Sequence, residues 1–261
     1  MPLHCVLALA SCANSPEREQ ALSHSIPAAV LTVNNKTKTS IATKVLGSAP
    51  ADCLEAGTLL RAGRLVAFPT ETVYGLGADA TDPEAIARLY AAKGRPSFNP
   101  LIAHVPSVDD ALPLGDFSTE ARRLAAHFWP GALTLVVPVS PASPVCELAR
   151  AGLPSLAIRV PDHPVAQAIL KAAARPIAAP SANRSGHVSP SLAAHVKADL
   201  DGIIDAIVDG GPTPIGVEST ILGCLEDRMV MLRPGGIARE VIEAVLGYPL
   251  AEKAGDEAAP L

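Results

Sequence analysis

Apolar residues in this chain come in strand-length bursts, each followed by a turn marked by proline or glycine or by a capped helical stretch. Leu65 to Phe68, Leu101 to Val105, Leu133 to Val139, Leu156 to Val160 and Ile177 to Ala179 read as strands, with others around Ile207, Thr220 and Met231. The helices between them have legible ends. Asp82-Pro83-Glu84 combines a capping carboxylate, a first-turn proline and an acid facing the positive end of the helix dipole. Ile86, Leu89 and Tyr90 form that helix's buried stripe, and Gly94 stops it just after Lys93. Further helices are predicted from Asp52 to Ala62, from Ser118 to His127, from Asp162 to Ala173, from Ser189-Pro190 onward, and from Arg239 to Leu246. Short strands mixed with helices, then consecutive strands late in the chain, predict an α/β (α+β) domain: a twisted mixed sheet with helices packed on it.

A chain of 261 residues, 49% hydrophobic and 18% charged, can bury a sizeable core. Its net charge of -5 gives no general attraction to nucleic acid, so phosphate binding must come from a local cluster. Aromatics at 3% argue against a base-stacking surface. Cys5, Cys12, Cys53, Cys146 and Cys224 form no C-x-x-C pair, which suggests neither a zinc knuckle nor a disulfide framework and favours a reducing, cytoplasmic setting. No apolar run is long enough for a membrane span. Val6 to Ala13 has the apolarity of a signal sequence but no basic start. The expected organisation is a loosely ordered extension over residues 1–40, one domain over 41–247, and a tail over 248–261.

Two blocks carry most of the chemistry. Pro69-Thr70-Glu71-Thr72-Val73-Tyr74-Gly75-Leu76-Gly77 sets hydroxyls beside glycines at a strand end, where exposed backbone N–H groups could approach an anion. Lys93-Gly94-Arg95-Pro96-Ser97-Phe98-Asn99-Pro100 sets two cations and an amide in a proline-closed turn with no acid to neutralise them. A nucleoside triphosphate suits both. Gly75-Leu76-Gly77-Ala78-Asp79-Ala80 matches the dinucleotide fingerprint only superficially, because the next helix opens at Asp82 and no suitable acid follows about twenty residues on. The chain has no P-loop, H-E-x-x-H or G-x-S-x-G motif.

Pro180-Ser181-Ala182-Asn183-Arg184-Ser185-Gly186 follows a short strand and offers hydroxyl and amide groups near the backbone; an ordinary strand-to-helix loop would look similar. Arg159, at a strand end, needs an anionic partner. A carboxylate gripped bidentately and a structural salt bridge are both open, as they are for Arg233. His104 alone reads as a core histidine, and Glu218-Ser219-Thr220 alone says little.

In this order and spacing, the blocks together resemble the YrdC/TsaC family of threonylcarbamoyl-AMP synthases, from about Lys44 to Gly247. The resemblance rests on P-T-E-T-x-Y-G-L-G, K-G-R-P-x-x-N-P, Pro130-Gly131 before Leu133-Thr134, P-S-A-N-x-S-G, and E-S-T with the later L-R-P-G. It implies a single YrdC-like domain around a deep basic cavity. It also implies a nucleotidyltransferase that turns L-threonine, bicarbonate or CO2, and ATP with Mg2+ into threonylcarbamoyl-AMP and pyrophosphate. A separate tRNA threonylcarbamoyltransferase would use that product. By resemblance, Lys93 and Arg95 are catalytic, and Arg95, Asn99, Ser155, Ser181, Asn183, Ser189 and Arg233 bind ATP. Thr72, His104, Arg159, the backbone at Ala179, and Ser219 surround threonine, with Arg159 as the carboxylate clamp. Metal ligands and a general base stay unassigned. Longer family members continue through a linker into a second domain, and the last helix here resembles that longer class. A double-stranded RNA or tRNA-binding module without turnover is the alternative. A carbamoyl-adenylating domain of the hydrogenase-maturation kind would carry zinc-finger-like and acylphosphatase-like modules, and neither is visible.

Overall fold

The computed structural model describes residues 42–97, 99–225 and 228–251. The expected extension over 1–40 and the end of the expected tail lie outside them. In chain order the main elements are β1 (Lys44–Leu46), α1 (Pro50–Arg61), β2 (Val66–Pro69), β3 (Tyr74–Asp79), α2 (Pro83–Lys93), β4 (Ile102–His104), α3 (Val108–Ala111), α4 (Thr119–Phe128), β5 (Leu133–Pro138), β6 (Ser155–Arg159), α5 (Pro164–Ala173), β7 (Ile177–Ala178), α6 (Ala193–Leu200), β8 (Ala206–Val208), β9 (Thr220–Gly223), β10 (Val230–Arg233) and α7 (Arg239–Leu246).

The strands join one twisted mixed sheet in the order β1-β8-β2-β3-β7-β4-β6-β5-β9-β10. Alternation along each strand divides the core between its two faces. Ala67, Leu76, Leu135, Ile158 and Ile207 point to the larger core, under α2, α4, α6 and α7. Val66, Phe68, Ala206 and Val208 point the other way, under α1 and α5. Those two helices cover only the β1-to-β7 half of their face. On the other half, Val136, Ala157, Ile221 and Leu232 form a small apolar patch to which, among the described residues, no helix contributes.

The helix ends follow local chemistry. The Asp82 carboxylate accepts from the Glu84 N–H at 2.8 Å, and Gly94 takes the left-handed conformation (φ 58°) that closes α2. Ser118 caps α4 through the Ala121 N–H at 3.1 Å. Two expectations are corrected. His163, not Asp162, caps α5, its Nδ1 accepting from the Val165 N–H. Ser189-Pro190 does not open a helix: Ser189 turns to an acid instead, and α6 starts only at Ala193.

The glycine block is also not an anion cradle. Gly75 and Gly77 lie within β3, opposite Phe68 and Val66 of β2. A Cβ on Gly77 would sit 2.8 Å from the Phe68 ring and 3.1 Å from Leu60, so this glycine exists to let α1 and β2 close on the strand. Residues 248–251 pack down as well, with Leu250 buried and the Ala251 N–H on the Met229 carbonyl.

Candidate active site

Part of the uncovered half-face, at Ile102 and Ile221, lines a cleft with about 600 Å³ of empty space, part of it open to solvent. Thr72, Arg95, His104, Arg159, Ala179, Ser181, Ser219 and Arg233, all singled out in the sequence, line it. Their charges feel one another. Burial lowers the pKa of Arg233, with Arg159 and Arg95 adding to the effect and Glu218 opposing it.

Arg159 emerges from β6 almost wholly buried. Its Nε donates to the Gly131 carbonyl at 3.2 Å and its Nη2 to Thr72 Oγ1 at 2.9 Å. Nη2 also pairs with Glu71 Oε1 at 2.7 Å. The hydroxyl network fixes the direction of the Thr72 proton. Thr70 donates to the Val73 carbonyl at 2.7 Å, so the 2.8 Å contact between the two threonines must run from Thr72 to Thr70. That leaves Thr72 Oγ1 accepting from the arginine.

His104 is almost wholly buried at the cleft wall, and burial followed by the Arg159 charge pushes its pKa down to about 3. Its Nδ1 lies 3.0 Å from the Ile102 carbonyl, which can only accept; in the neutral ring Nδ1 therefore carries the proton and Nε2 is the acceptor. Ser219 Oγ is 2.8 Å from Thr134 Oγ1. Arg233 donates to the Ser219 carbonyl at 2.9 Å and pairs closely with Glu218, whose other oxygen accepts from Ser189 Oγ at 2.9 Å.

The remaining predicted residues stand off the cleft wall. Lys93 is buried behind it, its ammonium donating to the Ser181 and Asn183 carbonyls. Burial, then Arg95, bring its pKa down to about 7. Asn183 donates to the Arg184 and His187 carbonyls, both at 2.8 Å, and its Oδ1 has no partner among the described residues. Asn99 is buried next to the Arg95 turn, with its carbonyl on the Tyr90 hydroxyl at 2.8 Å. Ser155 lies at the opposite end of β6 from Arg159. Sequence reasoning passed over two acids, Glu71 and Glu218. Both sat inside quoted motifs, and the signal was available: cations drawn into a buried cleft need counter-charges.

A profile of the Sua5/YciO/YrdC family, described as "Telomere recombination", matches residues 58–235. The chain belongs to the Sua5/YciO/YrdC family. Among its Sua5/YciO/YrdC relatives, the threonylcarbamoyl-AMP synthase of Bacillus subtilis is 55% identical over 194 residues, 74% of this chain and 56% of that protein. The threonylcarbamoyl-AMP synthase of Pyrococcus abyssi is 50% identical over 193 residues, again 74% of this chain and 56% of its own. The chain thus spans little more than half the length of these two relatives. The solved structure of P. abyssi Sua5 complexed with L-threonine superposes with a TM-score of 0.79 at 44% identity, covering 84% of this chain and 65% of that one.

Proposed function

We propose that residues 41–247 are a catalytic domain that makes threonylcarbamoyl-AMP and pyrophosphate from L-threonine, CO2 or bicarbonate, and ATP, for later transfer to tRNA. The observation that carries this reading is the convergence of Arg95, Arg159 and Arg233, from distant parts of the sequence, on one cleft beside a neutral histidine and paired hydroxyls. The names of the relatives and the threonine in the P. abyssi complex support it.

The amine of threonine adds to CO2 and loses a proton, giving a carbamate. A carbamate oxygen then attacks the α-phosphorus as the bond to the bridging oxygen of pyrophosphate breaks. The protein's share is positioning and charge neutralisation. Arg159 takes the threonine carboxylate. Thr72, Ser219 and the Nε2 of His104 surround the threonine hydroxyl, and a site with such polar groups rejects analogues that lack the hydroxyl. Arg95 and Arg233 face the phosphates, with Ser181, Ser189 and the buried Asn99 and Asn183 shaping that end. The nucleotide extends along the open face toward Ser155. Lys93 acts from behind by fixing the 181–183 segment.

Among the described residues no group of three or more His, Cys, Asp or Glu side chains could hold a metal ion. The acids at the cleft are committed to Arg159 and Arg233. Mg2+ carried on the ATP phosphates needs no such cluster from the protein, and no step is routed through it. No described helix is long and apolar enough to cross a membrane.

The test is pyrophosphate release with ATP, bicarbonate and a panel of amino acids. Release should require threonine, and release indifferent to it refutes the reading. Arg159→Ala should raise the threonine KM at least 10-fold, the scale of losing a charged hydrogen-bond partner, with a much smaller change for ATP. Arg95→Ala should do the reverse.

A further inference from the structure

Arg159 was expected to grip a carboxylate with two parallel N–H groups, but two of its three nitrogens are already engaged. A guanidinium carries five N–H bonds: one on Nε and two on each terminal nitrogen. Nε is given to the Gly131 carbonyl. One Nη2 hydrogen goes to Thr72 Oγ1, and the Glu71 carboxylate stands 2.7 Å away on the same nitrogen. Among the described residues only Nη1 has no partner, and Arg159 lines the cleft.

Glu71 itself is held tightly. It is 5% exposed, and its backbone carbonyl accepts from the Ile215 N–H at 2.9 Å, while that of Thr72 accepts from the Gly216 N–H at 3.0 Å. Its carboxylate meets Arg159 as an ion pair, and neither oxygen has an aligned hydrogen bond. A buried pair of this kind contributes little net stability, because desolvation cancels most of the attraction. Together with the directed bonds from Nε to Gly131 and from Nη2 to Thr72, it occupies the Nε and Nη2 side of the guanidinium.

We propose that Glu71 is a positioning residue that, with Thr72 and Gly131, turns Arg159 so that the substrate carboxylate is met end-on by Nη1 alone. This rests on the threonine reading of the cleft. One-nitrogen recognition is weaker than a two-nitrogen clamp, but its geometry is fixed before the ligand arrives, so little ordering remains to be done on binding. It also sets the carboxylate at a defined distance from the Thr72 hydroxyl, which shares Nη2 with Glu71.

The test compares wild type, Glu71→Ala and Glu71→Gln, reading the threonine KM, the ATP KM and calorimetric L-threonine binding, with a thermal melt to establish folding. Glu71→Ala frees the guanidinium to rotate and should raise the threonine KM by about 10-fold or more, leaving the ATP KM within about 2-fold. Glu71→Gln keeps an acceptor oxygen of the same shape and should fall between wild type and Glu71→Ala. It carries the test alone if the alanine variant does not fold. Unchanged threonine binding in folded variants overturns the inference, as does an equal rise in both KM values, which is what mere structural damage would give. A wild-type protein that binds no threonine overturns the functional reading, and this inference with it.

Discussion

Replacing Lys93 with methionine should erase a pH dependence of stability that the wild-type protein shows above neutrality. Lys93 sits at the last turn of α2, is 2% exposed, and donates to the carbonyls of Ser181 and Asn183. Burial, then the nearby Arg95 charge, lower its pKa from 10.5 to about 7. In the unfolded chain the amine keeps its proton up to the ordinary value. Between about pH 7 and 10.5 the unfolded state therefore binds more protons than the folded state, and stability rises with pH. At about 1.36 kcal/mol per unit the whole window is worth about 5 kcal/mol, of which about 2 kcal/mol falls between pH 7 and 9. Methionine fills a similar volume, carries no proton, and leaves two carbonyls unpaired at a cost of about 1–3 kcal/mol each. Below pH 7 that cost is offset by removing a buried charge; at pH 9 it is not. Urea denaturation of both proteins at pH 6, 7, 8 and 9 measures the difference. The variant should lose ground to wild type by about 2 kcal/mol from pH 7 to 9. A difference that stays flat over that range would refute the argument, because it would mean the folded lysine keeps its ordinary affinity for the proton.

Two further outcomes follow from local geometry. Gly77→Ala places a methyl group against Phe68, Leu60 and the Val66 carbonyl; it should cost about 1–3 kcal/mol, read as a fall in Tm of roughly 2–4 °C per kcal/mol. His104, with its pKa lowered to about 3, should show imidazole NMR shifts that do not move between pH 5 and 8. Because the unfolded ring takes up its proton near 6.5, His104 should also withdraw stability as pH falls below that value toward 3.

Helix boundaries were legible where one side chain meets one backbone group a few residues away, as at Asp82, Ser118 and Gly94. They were misread where a neighbour competed. His163 takes the N–H that Asp162 was expected to take, and Ser189 is drawn to Glu218 rather than to a helix. β3 was hidden because its glycines have low strand propensity, and it exists through pairing with β2 and β7. The cationic half of the site could be read from the motifs, since Arg95, Arg159 and Arg233 each stand out in proline- and glycine-rich or apolar surroundings. The need for buried counter-charges was legible too, but not which acid meets which arginine: Glu71 and Arg159 stand 88 residues apart and are joined only by the fold.

Arg233 shows how the sheet itself builds the site. His104 and Arg159 are partners across β4 and β6, Leu135 faces Ile158 one step before Arg159, and Thr134 faces Ile221. His104, Arg159, Thr134 and Ile221 thus form one transverse row on the uncovered face, while Leu135 and Ile158 point to the main core. Along β10, plain alternation would put Val230 and Leu232 on that face and send Arg233 to the other side with Met231, into the main core. Met231 does pack there, and Leu232 lies on the open-face patch with Ile221. A register shift between Met231 and Arg233 instead sets Arg233 opposite Ile221. Such bulges re-aim a side chain at the cost of one ladder pairing. Here the bulge moves a guanidinium out of an apolar core and into the row that holds Arg159. A strand without it would have had to bury that charge among leucines, so the irregularity that hid this side chain's direction from the sequence is also what makes the three-arginine cleft possible.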